Sequence, residues 1–592
     1  MYILGISAYY HDSACCLLKD GKILASIEEE RFSRIKHDNN FPYQAINFCL
    51  KSQNLSPKDI DFIAYYEKPL LKFERILETF IDTWPKAFLP FLKGMPEWLD
   101  YKIKIEKTIR KLGFLGEIFF IPHHLSHASS CYFTSPFEKA AILTVDGVGE
   151  WQTTGLWKAE SGKIIPLKKI DFPHSLGLLY STFTSFLGFK VNEDEYKLMG
   201  LAAYGKPKYL SLINQLIEVK ADGSFQLNLK YFGFRESFRM YNKNFEKLFG
   251  KPRNHKEKIN QKHADIAASI QAKTEEVYFK MLNYLHLLTK TENLCISGGV
   301  ALNALANGKI YQKTPFKNVY VFGASGDSGG AVGAALFVYY QISKNAKTNF
   351  SNKELVKTLY LGSEYSNEKI EPILKDYKLN YKRYKNQDEL INKTAQLLFQ
   401  GKIIGWFQGK CEFGPRALGN RSILCRPNPR SMKTKVNLIK KREQFRPFAG
   451  SILQEKVDEY FEVPEKNHWS PFMTFCFLVK NDKRKELAAI VHADGTCRIQ
   501  TVNKENGLYY KLIKRFYEIT GIPCLLNTSF NLKGEPIVEN PKQAIDDFLK
   551  TKMDYLVLGE FVISKNKSNV VLPSCYDRDK MVKGFVLKEK DK

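Results

Sequence analysis

The feature that most constrains this chain is a strand pattern that it carries twice. YILGISA is followed by HDSACCLLKDGKILASIEEE, two apolar runs about an Asp-Gly turn, so residues 2–28 read as consecutive strands. KAAILTVDGVGEWQTTGLWKAESGKIIPL repeats the plan as strand, Asp-Gly turn, strand, turn, strand. Two such units, each with an acidic residue and glycines at the first turn, are how a duplicated α/β nucleotide-binding fold reads in sequence. Between them, residues 66–118 place Leu, Phe, Ile and Lys at near-helical spacing and read as an inserted helical region.

Beyond the second unit, Ile266, Ile270, Val277, Met281 and Leu285 mark one face of a long helix over 262–289, which stops before the strand-to-glycine string ENLCISGGVALN. The polar stretch 341–355 is the best linker in the chain and puts a domain boundary near residue 350. Apolar β patterns then resume, in IIGWFQGKCEFGPRALGNRSILC, AIVHADGTCRIQTV, CLLNTSFNLKGEPIV and YLVLGEFVI, with helices such as QAIDDFLKT between them. This is a second α/β domain. More than one domain is also what 592 residues require, because single cores stop growing well below that length.

Hydrophobic residues at 44% and charged residues at 26% exclude disordered and fibrous classes. No run reaches the ~18 to 20 apolar residues of a membrane helix, and MYILGISAYYHD lacks the layout of a secretion signal. A cytoplasmic location and no membrane partner are therefore expected. The eleven cysteines form no CxxC pair, and Cys15, Cys16 and Cys295 sit in apolar contexts as small core residues. The net charge of +26 favours anionic partners without choosing among nucleotides, phosphates and nucleic acid.

In IPHHLSHASS, His123 and His127 are four residues apart, so on a helix they share a face and can bind one metal, while His124 points elsewhere. Asp327, in VFGASGDSGGAVGAAL, is the best third ligand, since it follows a strand and lies among glycines that permit close approach. Two histidines and a carboxylate suit Fe(II), Mn(II) or Zn(II). Glycine turns at Asp146-Gly147, at Gly298-Gly299 ahead of Asn303, and at Gly326–Gly330 can present backbone amides to phosphates. In the C-terminal part, Arg416, Arg421, Lys441, Arg442, Arg446, Arg498 and Lys533 are concentrated beside Gly, Asn and Ser, as a site for phosphate or a phosphorylated acyl donor requires.

GISAYYHDSACCL, EEERFSRIKHD, HHLSHASS, TVDGVGEW, EYKLMGLAAYG, GGVALN, GDSGG, EFGPRALGNRSI, REQFRPFA, DGTCRIQTV and LNTSFNLKGEPIV together resemble the NodU/CmcH carbamoyltransferases, from residue 3 to about 560. The resemblance implies an N-terminal domain, 1–350, similar to Kae1 and of the actin-like ATPase fold, and a C-terminal domain, 351–592, similar to YrdC. It implies that the YrdC-like site converts carbamoyl phosphate and ATP, with Mg, to carbamoyl-adenylate. The Kae1-like site then passes the carbamoyl group to a hydroxyl of a small molecule such as a sugar or another natural product. By the same resemblance His123, His127 and Asp327 hold the metal, with Fe(II) favoured. Lys197 and Gly200 join Asp146, Gly147, Gly298, Gly299 and Asn303 in the nucleotide cleft, and Arg416, Arg421, Arg446, Arg498, Asn527 and Lys533 serve the donor site. Lys197 and Arg416 are also read as catalytic.

His11 is the candidate general base, with Asp12 to orient it, because an imidazole titrates near working pH. A homodimer is compatible with this scheme. Two other functions compete. Proteins similar to each half cooperate in adding threonylcarbamoyl to tRNA, but the basic residues here are distributed and no aromatic-basic RNA motif stands out, so nucleic acid is not expected. A non-enzymatic actin-like ATP-binding regulator would leave the Arg-rich strings unexplained.

Overall fold

The computed structural model describes residues 1–342 and 355–565, which group into two compact units. Of these described residues, the first unit takes those within Met1–Glu29 and His37–Val356, the second those within Glu30–Lys36 and Lys357–Lys592. The expected linker over 341–355 and the boundary near 350 fall largely outside the described residues. The heptapeptide Glu30–Lys36 is the unexpected member of the second unit. Arg31, 1% exposed, donates to the Gly414 carbonyl at 2.7 Å, and Arg34 donates to the Ile537 and Pro536 carbonyls at 2.8 and 2.9 Å.

In the first unit, strands β1 (Tyr2–Ser7), β2 (Ala14–Lys19), β3 (Lys22–Glu28), β4 (Phe62–Tyr65) and β5 (Glu117–Phe120) form a sheet of order β3-β2-β1-β4-β5. A second sheet joins β6 (Lys139–Val145), β7 (Gln152–Glu160) and β8 (Lys163–Asp171) to β11 (Asn293–Ser297) and β12 (Asn318–Val321), in the order β12-β11-β6-β7-β8, with a separate hairpin of β9 (Ile217–Val219) and β10 (Phe225–Leu227) between. In each sheet the first three strands run antiparallel and the last two add parallel to the first. The two sheets are thus copies of one plan, the duplicated α/β arrangement of the actin-like fold.

The equivalence of turns differs from the sequence reading. Asp20-Gly21, with φ of 50° and 83°, closes the second hairpin of its sheet, and its counterpart is Ser161-Gly162, with φ of 48° and 82°. Both pairs take the positive φ that a two-residue hairpin turn demands. Asp146-Gly147 instead follows the first strand of its sheet, where the first copy carries the loop Ala8–Ser13 with His11 and Asp12. The dipeptide recurs, but at non-equivalent turns.

Helices His123–Thr134 and Asp327–Phe337 pack against each other, and the latter also lies on β1. Two glycines permit this approach. A Cβ on Gly333 would stand 1.8 Å from the Ser126 carbonyl oxygen, and one on Gly5 would stand 2.0 Å from that of Ala331. The 29-residue helix Gln261–Thr289 buries Ile266, Ile270, Val277, Met281 and Leu285 as its periodicity predicts. The insertion is helical over Pro69–Asp82, Phe88–Glu97 and Ile105–Lys111.

The second unit is built on one mixed sheet of nine strands: β13 (Asn380–Arg383), β14 (Ile404–Phe407), β15 (Arg421–Cys425), β16 (Ala449–Leu453), β17 (Phe475–Leu478), β18 (Thr496–Val502), β19 (Cys524–Ser529), β20 (Tyr555–Leu558) and β21 (Phe561–Ser564). Helices Gln387–Phe399 and Leu508–Thr520 pack on each other, and Pro541–Leu549 packs on β14 and β20. Among the described residues, no helix is long and apolar enough to cross a membrane, and Cys15, Cys16 and Cys295 are buried.

Candidate active site

His123 and His127 lie one turn apart on their helix, and their Nε2 atoms face each other at 3.0 Å. Asp146, at the end of β6, reaches His123 Nε2 at 2.9 Å and His127 Nε2 at 3.4 Å through Oδ2. Asp327, the first residue of its helix, adds Oδ1 at 3.8 and 3.5 Å from the same nitrogens. The four groups offer donor atoms within 4.8 Å of one another, and all are buried. Asp146, expected in the nucleotide turn, is therefore a member of the histidine cluster.

The electrostatics of this cluster are those of a cation site. Burial penalises each carboxylate, yet the histidines hold Asp146 well below its ordinary range and, with His11, also lower Asp327. Burial likewise opposes charge on His127, but Asp146 and Asp327 raise it to about 9. Neither Asp327 oxygen has a hydrogen-bond partner, although both are buried. Two buried carboxylate oxygens without hydrogen bonds, beside paired imidazole nitrogens, fit a divalent ion that accepts nitrogen and oxygen ligands.

Supporting contacts set the geometry. Ser297 Oγ lies 3.4 Å from His127 Nδ1, which orients that ring, and the Gly299 amide donates to Asp146 Oδ1 at 3.0 Å. Gly298 needs both its φ of 97° and its missing side chain, since a Cβ would meet the Val145 carbonyl oxygen at 2.3 Å. His124 turns away to Thr144 Oγ1 at 2.8 Å. Glu150, which sequence reasoning missed, accepts the backbone amides of His123 at 2.9 Å and Lys68 at 2.8 Å.

The insertion also contributes. From helix Pro69–Asp82, Arg75 donates to the Gly149 carbonyl at 2.9 Å, and Lys72 pairs with Glu67 at 2.6 Å while its Nζ stands 4.9 Å from the Tyr10 ring centre. His11, half-buried beside Tyr10, meets Asp12 Oδ2 through Nδ1 at 3.0 Å, and Asp12 also meets His37 Nδ1 at 2.6 Å. Burial opposes charge on His11, but Asp327, Asp12 and Asp146 raise it to about 10. Lys197 pairs with Asp194 at 2.7 Å, and Gly200 is buried in the same helix. Gly147 receives the Ser175 hydroxyl on its carbonyl at 2.6 Å, and Asn303 caps helix Ala304–Lys313.

In the second unit, the loop of EFGPRALGNRS is organised by Glu412, whose Oε1 accepts the amides of Leu418, Asn420 and Arg421 at 2.7 to 3.0 Å. Arg421 is fully buried and donates to four carbonyls, those of Gln408, Asn420, Ser363 and Gly409. Its guanidinium lies 3.6 Å from the Phe407 ring centre. With both terminal nitrogens donating to backbone carbonyls and only its buried Nε unbonded, Arg421 binds the loop together. Sequence could not distinguish it from Arg416, which is half-buried in the same loop.

Arg498 and Asn527 occupy one row of the sheet, each opposite Ala449 on β16. Asn527 donates to the Ala417 carbonyl at 3.3 Å and to Ser451 Oγ at 3.0 Å. Arg498 has a buried Nε without a hydrogen bond, and burial together with Arg446 disfavours its charge. Glu443 lies 3.7 Å from Arg446 and 3.6 Å from Lys533. Lys440, missed beside Lys441, is 4% exposed and donates to Asn531 Oδ1 at 2.7 Å, with burial and then Arg442 and Arg446 lowering its pKa. A small residue, Ala449, beside the buried Arg498 with its unbonded Nε is suited to an anion.

Fold and site together describe an α/β enzyme with a buried metal-fitting centre and a separate basic anion-fitting row. Residues 2–336 match the family described as the carbamoyltransferase N-terminus, and residues 395–565 match the carbamoyltransferase C-terminus. The chain belongs to the carbamoyltransferase family. It is 46% identical to an uncharacterised protein of Synechocystis over 95% of this chain and 97% of that one. It is 36% identical to the nodulation protein NolNO of Sinorhizobium fredii, over 95% of this chain and 80% of that one. Among solved structures it is similar to the Acidaminococcus fermentans (R)-2-hydroxyglutaryl-CoA dehydratase component A, with a TM-score of 0.34, 17% identity, and coverage of 58% of this chain and 100% of that one.

Proposed function

We propose that this carbamoyltransferase acts on a hydroxyl of a small molecule, with carbamoyl phosphate as donor and ATP as activator. The observation that carries the reading is the pairing, in one chain of this family, of a buried His-His-Asp-Asp centre with a distinct basic row.

In the second unit, taken here as a YrdC-like donor site, Arg416, Arg446, Arg498 and Lys533 would bind the phosphates of carbamoyl phosphate and of ATP carrying Mg, beside Asn527. Water cleaves carbamoyl phosphate to carbamate and phosphate. A carbamate oxygen then displaces pyrophosphate from the α-phosphorus of ATP, leaving carbamoyl-adenylate. Arg421 is left out of this set.

In the first unit, His123, His127, Asp146 and Asp327 would hold the metal, with Fe(II) preferred and Mn(II) or Zn(II) suited to the same donors. When bound, the ion supplies positive charge against the charge that develops on the carbamoyl or phosphate oxygens. Gly147, Gly200, Gly298, Gly299, Asn303 and Lys197 would line the nucleotide cleft. The acceptor hydroxyl attacks the carbamoyl carbon, the bond to AMP breaks, and AMP leaves. His11, oriented by Asp12, takes the hydroxyl proton, a role open to it once cationic charge at the centre offsets the field of Asp327 and Asp146.

Separate assay of the two half-reactions tests this division. Arg416→Ala should abolish pyrophosphate release that depends on carbamoyl phosphate, whereas His127→Ala should retain that release and lose transfer to an acceptor. Equal loss of both steps in both variants would sink the two-site scheme.

A further inference from the structure

Eight of the seventeen exposed large apolar side chains among the described residues fall between Leu70 and Leu99. They concentrate at the tip of the insertion, where Ile81 is 70% exposed, Trp84 60%, Leu89 67% and Leu92 58%. On helix Phe88–Glu97, Phe88, Leu89 and Leu92 are spaced so as to share one face. Soluble surfaces rarely leave so continuous an apolar face without a partner.

Charge says which partner. Residues 81–93 contain Lys86 and Lys93 against one carboxylate, Asp82, which lies 3.6 Å from Arg235. A second loop extends the surface: Phe238, 67% exposed, receives Lys93 Nζ at 5.1 Å from its ring centre and is followed by exposed Arg239. This loop is tied to the tip by Lys86–Glu236 at 3.3 Å and Arg235–Asp82 at 3.6 Å. Over 235–239 this loop carries Arg235 and Arg239 against Glu236. An aromatic and aliphatic face set among lysines matches the boundary of an anionic bilayer, where apolar side chains enter the acyl edge and ammonium groups meet headgroup phosphates. A second copy is disfavoured, because each copy brings a net charge of +26.

We propose that residues 81–93, with Phe238 and Arg239, form a peripheral docking surface for an anionic lipid bilayer. The expectation of no membrane partner rested on the lack of a spanning run and does not speak to such a surface. Docking here sits one helix from the metal-fitting centre, since the buried side of Pro69–Asp82 carries Lys72 and Arg75 to Tyr10 and Gly149.

Co-sedimentation of the full chain with vesicles of phosphatidylcholine, with and without phosphatidylglycerol, tests this. Binding should require phosphatidylglycerol and weaken with salt. The Leu89→Ser/Leu92→Ser variant should partition at least about tenfold less, and Lys86→Gln/Lys93→Gln about fivefold less per lysine, with thermal midpoints unchanged. The proposal is overturned by equal binding to both vesicle types, by no binding, or by either double variant binding like the parent chain. A concentration-dependent dimer in sedimentation equilibrium that Leu89→Ser/Leu92→Ser dissolves would assign the surface to a second copy instead.

Discussion

Glu150 holds the backbone amide of His123 at 2.9 Å, at the first turn of the helix that carries both histidines of the cluster. A carboxylate there satisfies a donor that the helix leaves open and complements the helix dipole. It also fixes where His123 begins, and so the direction in which both rings point.

Glu150→Gln should therefore keep the fold and weaken divalent metal binding by about tenfold or more, the usual consequence of altering a group that orients a ligand. Competition titration with a chromogenic chelator reads this, and unchanged affinity would show that Glu150 acts only on helix stability.

Asp327 makes an opposite demand on the protein with and without metal. Above about pH 10, where His11 and His127 no longer carry charge, its two buried oxygens have neither a hydrogen bond nor a cation, so Asp327→Asn should there leave the chelator-treated protein as stable as before or more stable. The same substitution should remove most of the rise in thermal midpoint on adding Mn(II) or Zn(II) to the parent chain. A large loss of stability in the chelator-treated variant at that pH would contradict the reading of Asp327 as a ligand awaiting a cation.

His127 sets a pH dependence. Its folded-state pKa is raised from 6.5 to about 9 by Asp146 and Asp327 against the cost of burial. The stabilisation from its protonation is therefore fully present below about pH 6.5 and is lost as pH rises through about 9, at roughly 1.4 kcal/mol per pKa unit. The metal-free protein should lose stability across that window in denaturant titrations. Metal affinity should rise over the same window, because a ligand nitrogen must first release its proton. Calorimetry in buffers of different ionisation enthalpy should count that proton, and a flat affinity profile would remove His127 from the ligand set.

Arg421 and Arg498 should separate stability from chemistry. Arg421→Lys leaves several carbonyls without a donor and should destabilise the second unit by about 3 kcal/mol. Arg498→Met removes a cation whose Nε is buried without a hydrogen bond, and should preserve or raise stability while pyrophosphate release falls. Urea unfolding with a parallel release assay distinguishes the two, and the reverse pattern would exchange their roles.

By itself the sequence determined what short-range geometry can determine. The i to i+4 spacing puts His123 and His127 on one helix face, alternating apolar runs give the repeated strands, and a 3.6-residue period gives Gln261–Thr289. Motif order was enough to place the chain in its family. Only the tertiary structure decided that Asp146 belongs with the histidines, that Arg421 is bound up with backbone carbonyls while Arg498 is not, and that Glu30–Lys36 packs in the second unit. Periodicity constrains neighbours along the chain. Which distant side chains share a buried site, and whether an arginine's donors are already satisfied, depends on packing between elements that local pattern does not encode.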